Sequence, residues 1–456
     1  MTTTDQPTQP APEEQRSGSV PSYLGLGFII GAAVLAALGV FLYLYHQGEH
    51  LVWDALPHAL GMDKATEWLV IVILMATGIV VALIRHLPGG DGHDPIDGFA
   101  TQPFGVPELL KVLGMAVASL AGGIVLGPEA PMIAICVSIP FLLRKHLTVP
   151  FNEKTGWWAT AIVTVVAAAA VTFAPLGGWP AGIAVVLFTG AACLGPTGKI
   201  RLVAGALALI AIRFMQSEGL LSHFQLELSK PPSGSGFTWA ALGWAIPIGA
   251  VGGLLAVAIR KVGRFTQHRA DIRPPIIVLP VMGFLIGVCA AAYSAITHND
   301  VTDILFDGEA SLQPLANKTG TVTVSVLLLM ILFKSIAYGL SLGSGFRGGP
   351  VFPSLFVGAC LGLLGATVLP GTPPLAGYAM GMAAVCAGVL GSIPVAVILV
   401  IWILAQGGLS TIPVVVVAAA IAFAVRKPLD PLPSTSQHPT DGETTKAPAA
   451  SAAGPS

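Results

Sequence analysis

Charged residues are scarce: Asp, Glu, Lys and Arg make up 10% of the 456 residues, against about 25% in an average soluble domain. That shortage excludes an ordinary water-soluble fold. Neither sign prevails, with a formal net charge of −1, so no nucleic-acid partner and no anionic surface is implied. Cysteine is sparse as well. All five cysteines (Cys136, Cys193, Cys289, Cys360 and Cys386) fall in apolar stretches, where a reduced thiol packs as a small hydrophobe; no disulfide framework and no metal site are expected. The ten histidines, His46, His86, His146, His223 and His298 among them, lie in loops or at the ends of apolar runs and show no ligand spacing. An intramembrane enzyme would need clustered nucleophiles, bases or metal ligands inside the apolar runs. None is seen in the sequence, and neither an enzyme nor a cofactor is expected.

What is present is apolar length. Hydrophobic residues reach 54% and the mean hydropathy is +0.80. Runs near the roughly 20 residues that cross a bilayer occur at 22–45, 67–84, 109–126, 157–174, 237–259, 275–296, 322–342 and 409–425. Five others are too short to cross alone: 130–143, 180–195, 202–215, 351–369 and 393–406. The reading is all-α: a polytopic membrane protein over residues 22–430. It is flanked by a disordered N-terminal tail at 1–21 and a disordered C-terminal tail at 431–456, with no folded domain expected after residue 430. Residues 1–21 lack the basic start and apolar core of a signal peptide. The segment 260–273 carries Arg260, Lys261, Arg264, Arg269 and Arg273 against Asp271 alone, and the positive-inside rule puts it in the cytoplasm. Arg426 and Lys427 put the C-terminus there too, as ordinary helix-end charges that, with Asp430, snorkel to water. The expected location is the inner (plasma) membrane, multi-pass, with both termini cytoplasmic. Trp157 and Trp158 read as part of an interfacial belt.

Glycine (54) and proline (36) are abundant and often sit within or between apolar runs, which points to helices broken inside the membrane. Two breaks look alike. "GIVLGPEAPMIAI" and "GFRGGPVFPSLFVG" each place a Gly/Pro turn before a half-length apolar helix, with Pro131 and Pro353 near its first turn. "GWPAGIAVVLFTG" and "GSIPVAVILVIWILAQG" share a second such unit, again about 220 residues apart. Matching interruptions in two halves point to inverted repeats with a site at their interface, here 67–215 and 237–425. A helix stopped at mid-depth needs partners for its freed backbone groups. Its N-terminus, with unpaired N–H groups and about half a positive charge, holds an anion without a cationic side chain. Gly122, Gly123, Gly127, Gly345, Gly348 and Gly349 let the backbone approach such an ion closely.

The single acid in the first break is Glu129. Either it interacts with its own helix dipole, or it occupies the site in place of an anion and opens it when protonated or displaced. Inside an apolar segment an ionisable group is a functional candidate, and the gate reading is preferred.

"LAGGIVLGPEAP" resembles the G-R/K-E-G-P segment of the CLC chloride channels and proton/chloride exchangers, and "KSIAYGLSLGSGFRGGPVFPSLFVG" resembles their later G-x-F-x-P signature. The variants are similar to those of a divergent bacterial branch described as ion-channel proteins, over about residues 67–430. The resemblance implies a homodimer whose subunits each contain an inverted-repeat pore of tilted, broken helices, passing chloride past a gating glutamate that maps to Glu129. It places Gly127, Pro128, Ala130, Gly348, Gly349, Val351 and Phe352 at the anion, with Gly92 where the family carries a serine. Lys334 and Arg347 are candidates for pore electrostatics; Lys334 equally for pairing with a helix C-terminus, and Arg347 rather more readily for capping carbonyls. The match also departs from the family. The phenylalanine position is Val351, with Phe352 displaced by one, Pro350 has no N–H, and a short match would put the family's inner tyrosine at Asp430. The inner proton-passing glutamate falls on Thr189 or Gly190.

That last departure favours passive conduction of chloride. The alternatives are a proton-coupled antiporter of chloride or another anion such as fluoride, with protons as a second partner, and a non-transporting structural membrane protein. Asp303, Asp307 and Glu309 read as a solvated polar loop.

Overall fold

The computed structural model describes residues 20–98, 103–144, 228, 230–404 and 408–430. Both terminal tails lie outside them, apart from residues 20 and 21, which already begin a helix. So do the apolar runs at 157–174, 180–195 and 202–215, with Trp157, Trp158, Thr189 and Gly190.

The described chain is helical. In order run α1 (Val20–His50), α2 (Glu67–Arg85), α3 (Val106–Ala121), α4 (Glu129–Arg144), α5 (Trp239–Ile272), α6 (Pro275–Thr297), α7 (Glu309–Asn317), α8 (Val324–Gly343), α9 (Val351–Val368), α10 (Pro374–Leu390), α11 (Ile393–Ile403) and α12 (Gly408–Leu429). Among the described residues six helices, α2, α5, α6, α8, α9 and α12, are long and apolar enough to cross a membrane. α4, α10 and α11 are shorter apolar helices.

Three expectations about length change. The run at 109–126 is not one span: α3 stops at Ala121. Gly123 adopts φ +83, its N–H donates to Leu120 O, and the Ile124 N–H donates to Ser119 O. This is the glycine-centred stop that satisfies a helix's last carbonyls. The piece at 351–369, expected to be too short, forms the 18-residue α9. At about 1.5 Å per residue that is about 27 Å, and burial is continuous from Val351 to Leu363, so α9 runs through protein rather than along lipid. Finally, the arginine-rich segment at 260–273 is no loop: α5 continues through it to Ile272.

Close helix packing comes from glycine, as expected where lipid removes the hydrophobic drive between helices. α9 and α10 meet at Gly358, Gly362, Gly377 and Gly381. A Cβ on Gly358 would lie 2.5 Å from Gly381 O, and one on Gly362 would overlap Gly377 O. Because the obstacle is backbone, the helices would have to separate. Gly362→Ala is therefore expected to destabilise the protein by roughly 1–3 kcal/mol, the usual overpacking cost. It would be read as a lower midpoint of thermal unfolding in detergent; an unchanged midpoint would contradict this packing.

Candidate functional site

The two sequence breaks meet. α3 ends, Gly123 turns the chain, and an extended stretch leads to Gly127, Pro128 and the start of α4 at Glu129. α8 ends at Gly343, Gly345 turns the chain at φ +96, and an extended stretch leads to Gly349, Pro350 and the start of α9 at Val351. Both breaks thus have one spacing from turning glycine to helix start. Gly127 and Gly349 form an isolated antiparallel bridge: Gly127 N–H donates to Gly349 O at 2.8 Å and Gly349 N–H to Gly127 O at 2.5 Å. An antiparallel bridge between equivalent positions is what a local two-fold axis between inverted halves produces. It also satisfies backbone groups that truncated helices would otherwise leave bare.

Beside this bridge lies the carboxylate of Glu129, 7% exposed. Its Oε1 accepts the N–H of Phe352 at 2.8 Å, in the first turn of α9, and its Oε2 has no hydrogen-bond partner among the described residues. An added Cβ on Gly127 would meet the carboxylate, Oε1 at 2.5 Å, and one on Gly349 would overlap Oε2. The side chain therefore extends from the start of one truncated helix to the N-terminus of the other, where an anion is stabilised by free N–H groups and the helix dipole.

The remaining sequence-selected residues divide into groups. Pro128 is buried and Ala130 half-buried next to the carboxylate's helix start. Val351, at the position equivalent to Glu129 in the second break, and Phe352 are buried; the displaced phenylalanine is the one whose N–H meets the acid. Gly348 faces the other way, with an added Cβ 2.5 Å from the Leu126 Cβ. Gly92, at φ +70, packs against Val112 in a loop and is not among the groups touching Glu129.

Arg347 is 4% exposed and holds that same loop: Nε donates to Asp91 O at 2.7 Å and Nη1 pairs with Asp94. It ties the second break to the loop and caps carbonyls, one of them Phe346 O. Lys334 is fully buried. Its Nζ donates to Leu305 O at 2.7 Å and Asp303 O at 3.2 Å and lies 4.6 Å from the centre of the Phe356 ring, so its charge is spent on carbonyls.

Asp91 carries the loop's main ion pairs, with Arg85 Nε at 2.6 Å and Lys111 Nζ at 2.7 Å. Burial alone would raise its pKa, but the hydrogen bonds and charges of Lys111 and Arg85 outweigh it and hold the carboxyl below its usual range. A lowered folded-state pKa stabilises above the unfolded value of about 3.9, and that gain is lost as pH falls through the folded value. Asp91→Asn is expected to lower the melting midpoint at pH 7 and to converge with wild type below about pH 4. A constant difference between the two across that range would refute the pairing.

Other features were not legible. Asp307 is 7% exposed, so the loop read as a solvated face is partly interior. Its charge acts on Glu129, and Glu309 feels Asp307, Glu129 and Glu49. The reason is local: Asp307 Oδ1 accepts Glu309 N–H at 3.0 Å as Gly308 turns at φ +86, which folds the acid inward. Tyr338 is buried and donates from its hydroxyl to Pro350 O at 2.5 Å, fixing the residue before α9; its place in "AYGLSLGSGF" was the available signal. Trp53 Nε1 donates to Ala121 O at 3.0 Å and its ring packs edge-on to Phe306 at 5.1 Å, covering the first break. Arg426 is 2% exposed and does not snorkel, whereas Lys427 beside it is exposed. The reason is Asp430, which pairs with Arg260 and lies 3.9 Å from Arg426 Nη2. Asp430 therefore faces arginines rather than Glu129.

With this geometry in hand, a family model described as voltage gated chloride channel matches residues 100–427. YfeO of Salmonella paratyphi A, named as an ion-transport protein, is 28% identical over 347 residues, 74% of this chain and 78% of that protein. YfeO of Salmonella choleraesuis is 27% identical over the same shares. Among solved structures, a CLC-type fluoride/proton antiporter is similar with a TM-score of 0.61 and 18% identity, covering 91% of this chain and 96% of that one. A slow cyanobacterial Cl−/H+ antiporter is similar with a TM-score of 0.62 and 18% identity, covering 91% and 95%. At such identities the likeness is one of fold.

Proposed function

The chain belongs to the voltage gated chloride channel family, and from that premise we propose that it is a multi-pass membrane protein conducting chloride or a related small anion passively, with Glu129 as the gate. The observation that carries this reading is the Phe352 N–H to Glu129 Oε1 bond at the start of α9. A carboxylate there takes the place of an anion. Gly127 and Gly349 supply the close backbone approach, Pro128, Ala130 and Val351 set the two helix starts, and Gly348 keeps the breaks packed. Each subunit of a homodimer in the inner membrane contains one such pore, with the arginine-rich end cytoplasmic. Backbone donors hold an anion more weakly than a lysine would, which suits rapid passage.

Passage is a competition between a permeating anion and the carboxylate, so acid, by neutralising Glu129, raises flux. A second reading, proton-coupled antiport, is favoured by one observation: the acids Asp307 and Glu309 lie within electrostatic reach of the gate, with Glu49 in turn within reach of those two, and together they offer protons a route to it. The fluoride/proton and Cl−/H+ proteins whose folds are similar to this one are both antiporters.

The deciding experiment is flux from proteoliposomes with chloride and protons recorded together. Passive conduction requires that a chloride gradient drive no uphill proton movement. Uphill protons would replace the channel by the antiporter, and no anion movement of any kind would remove the transport assignment.

A further inference from the structure

One tyrosine reaches from α8 to the backbone of the second break. Tyr338 is fully buried, and its hydroxyl donates at 2.5 Å to Pro350 O, the carbonyl of the residue before α9. The two breaks differ at this point. In the first, the equivalent carbonyl, Pro128 O, accepts the N–H of Met132 at 3.1 Å, so the first turn of α4 is closed from within its own helix. In the second, the carbonyl takes a side chain from another helix.

The base on which the tyrosine stands is firm. A Cβ on Gly339 would lie 2.9 Å from Ile259 O, and one on Gly343 would overlap Gly263 O, so α8 is seated against the backbone of α5. One turn before Tyr338, and therefore on the same face of α8, Lys334 holds the carbonyls of Asp303 and Leu305. The next residue of that loop, Phe306, donates its N–H to Gly123 O at 3.1 Å. α8 thus grips both breaks, the first through the loop and the second through the hydroxyl.

What the hydroxyl fixes follows from peptide geometry. The carbonyl and N–H of one planar trans unit point in opposite directions, so holding Pro350 O also sets the direction of the Val351 N–H. Pro350 and Pro353 have no N–H, which leaves Val351 and Phe352 as the donors of the first turn of α9. One of them, Phe352, meets Glu129. A site with two donors depends on the direction of each.

We propose that Tyr338 is a positioning residue for the anion site: through Pro350 O it holds the start of α9 so that its two donors face the permeating ion, without itself touching that ion. This deepens the pore reading and rests on it for the identity of the ion. Without the hydroxyl, the buried Pro350 carbonyl loses that donor and the first turn of α9 is free to tilt. The ion then meets donors that are no longer preorganised, binds more weakly and leaves sooner.

The test uses the full chain in the Glu129→Gln background, where the gate is already neutral, with Tyr338 kept or changed by Tyr338→Phe, which removes one oxygen and keeps the ring. In proteoliposomes Tyr338→Phe is expected to raise the half-saturating chloride concentration at least threefold without a proportionate fall in maximal flux. Loss of folded protein alone would lower the maximum and leave half-saturation where it was. That outcome would overturn the proposal, as would superimposable curves. Bromide located by anomalous scattering in crystals of the same two proteins gives a readout that needs no flux: it is expected at the Phe352 N–H, with at least threefold lower occupancy after Tyr338→Phe. If that difference appears while neither protein moves any anion, the conduction reading falls and the positioning role stands. Equal occupancy in the two would overturn the positioning role and leave the conduction reading untouched. No bromide at the Phe352 N–H of either protein would overturn both.

Discussion

Glutamine at position 129 is expected to leave anion flux intact or raise it up to about tenfold, and to abolish its pH dependence. Glutamine keeps the length of the side chain and an oxygen for the Phe352 N–H, which now binds Glu129 Oε1 at 2.8 Å. What it removes is the charge. A hydrogen bond to a charged group contributes about 1.5–3 kcal/mol and a neutral one about 0.5–1.5 kcal/mol. The difference of about 1–1.5 kcal/mol corresponds to roughly a tenfold advantage for the competing anion. The repulsion from Asp307 also ends, which removes a force acting to expel the side chain, so the rise need not reach the full factor. In wild type flux should climb as pH falls, since protonation does to glutamate what the substitution does permanently; in Glu129→Gln the profile should be flat. Flux reduced below a tenth of wild type, with the pH profile retained, would mean that Glu129 is not the gate.

The parts of this site written in local sequence were legible. Gly123 and Gly345 stop helices because they take up φ of +83 and +96, a backbone state that side-chain-bearing residues avoid, and a proline precedes each new helix. These signals act over a few residues, so the repeated Gly/Pro breaks of two helical halves could be read directly. The hydrogen-bonded bridge between Gly127 and Gly349 joins residues far apart in the chain, and its pattern announced only that both breaks existed. The burial of charge was less legible still. Arg426 at the end of an apolar run looks like any snorkelling arginine until Asp430 and Arg260 are seen beside it. Asp307 in "FDGE" looks solvated until Gly308 turns it inward. Length misled in a third way. The piece at 351–369, expected to be too short to cross alone, forms the 18-residue α9, whose Gly358 and Gly362 are where α10 comes into contact.

Alanine at position 349 is expected to reduce anion flux at least tenfold, the opposite of the effect at Glu129. Gly349 is not among the described glycines of positive φ, so alanine meets no backbone strain there and the consequence is steric. The new methyl would overlap Glu129 Oε2 and approach Ala130 N to 3.1 Å. The carboxylate, the far end of a flexible side chain, would be driven from its seat, but no pore would open. The methyl itself would stand where the ion must come close to the bridge and to the Phe352 N–H. A tenfold loss corresponds to about 1.4 kcal/mol of lost stabilisation, a modest demand for a site that depends on backbone approach. The double variant Glu129→Ala with Gly349→Ala separates the two consequences. It removes the clash with the carboxylate and keeps the methyl, so flux should remain low, while Glu129→Ala alone conducts freely. Should the double variant instead conduct as well as Glu129→Ala while the protein remains monodisperse, the ion does not pass against Gly349, and the bridge between the two breaks would be structural alone.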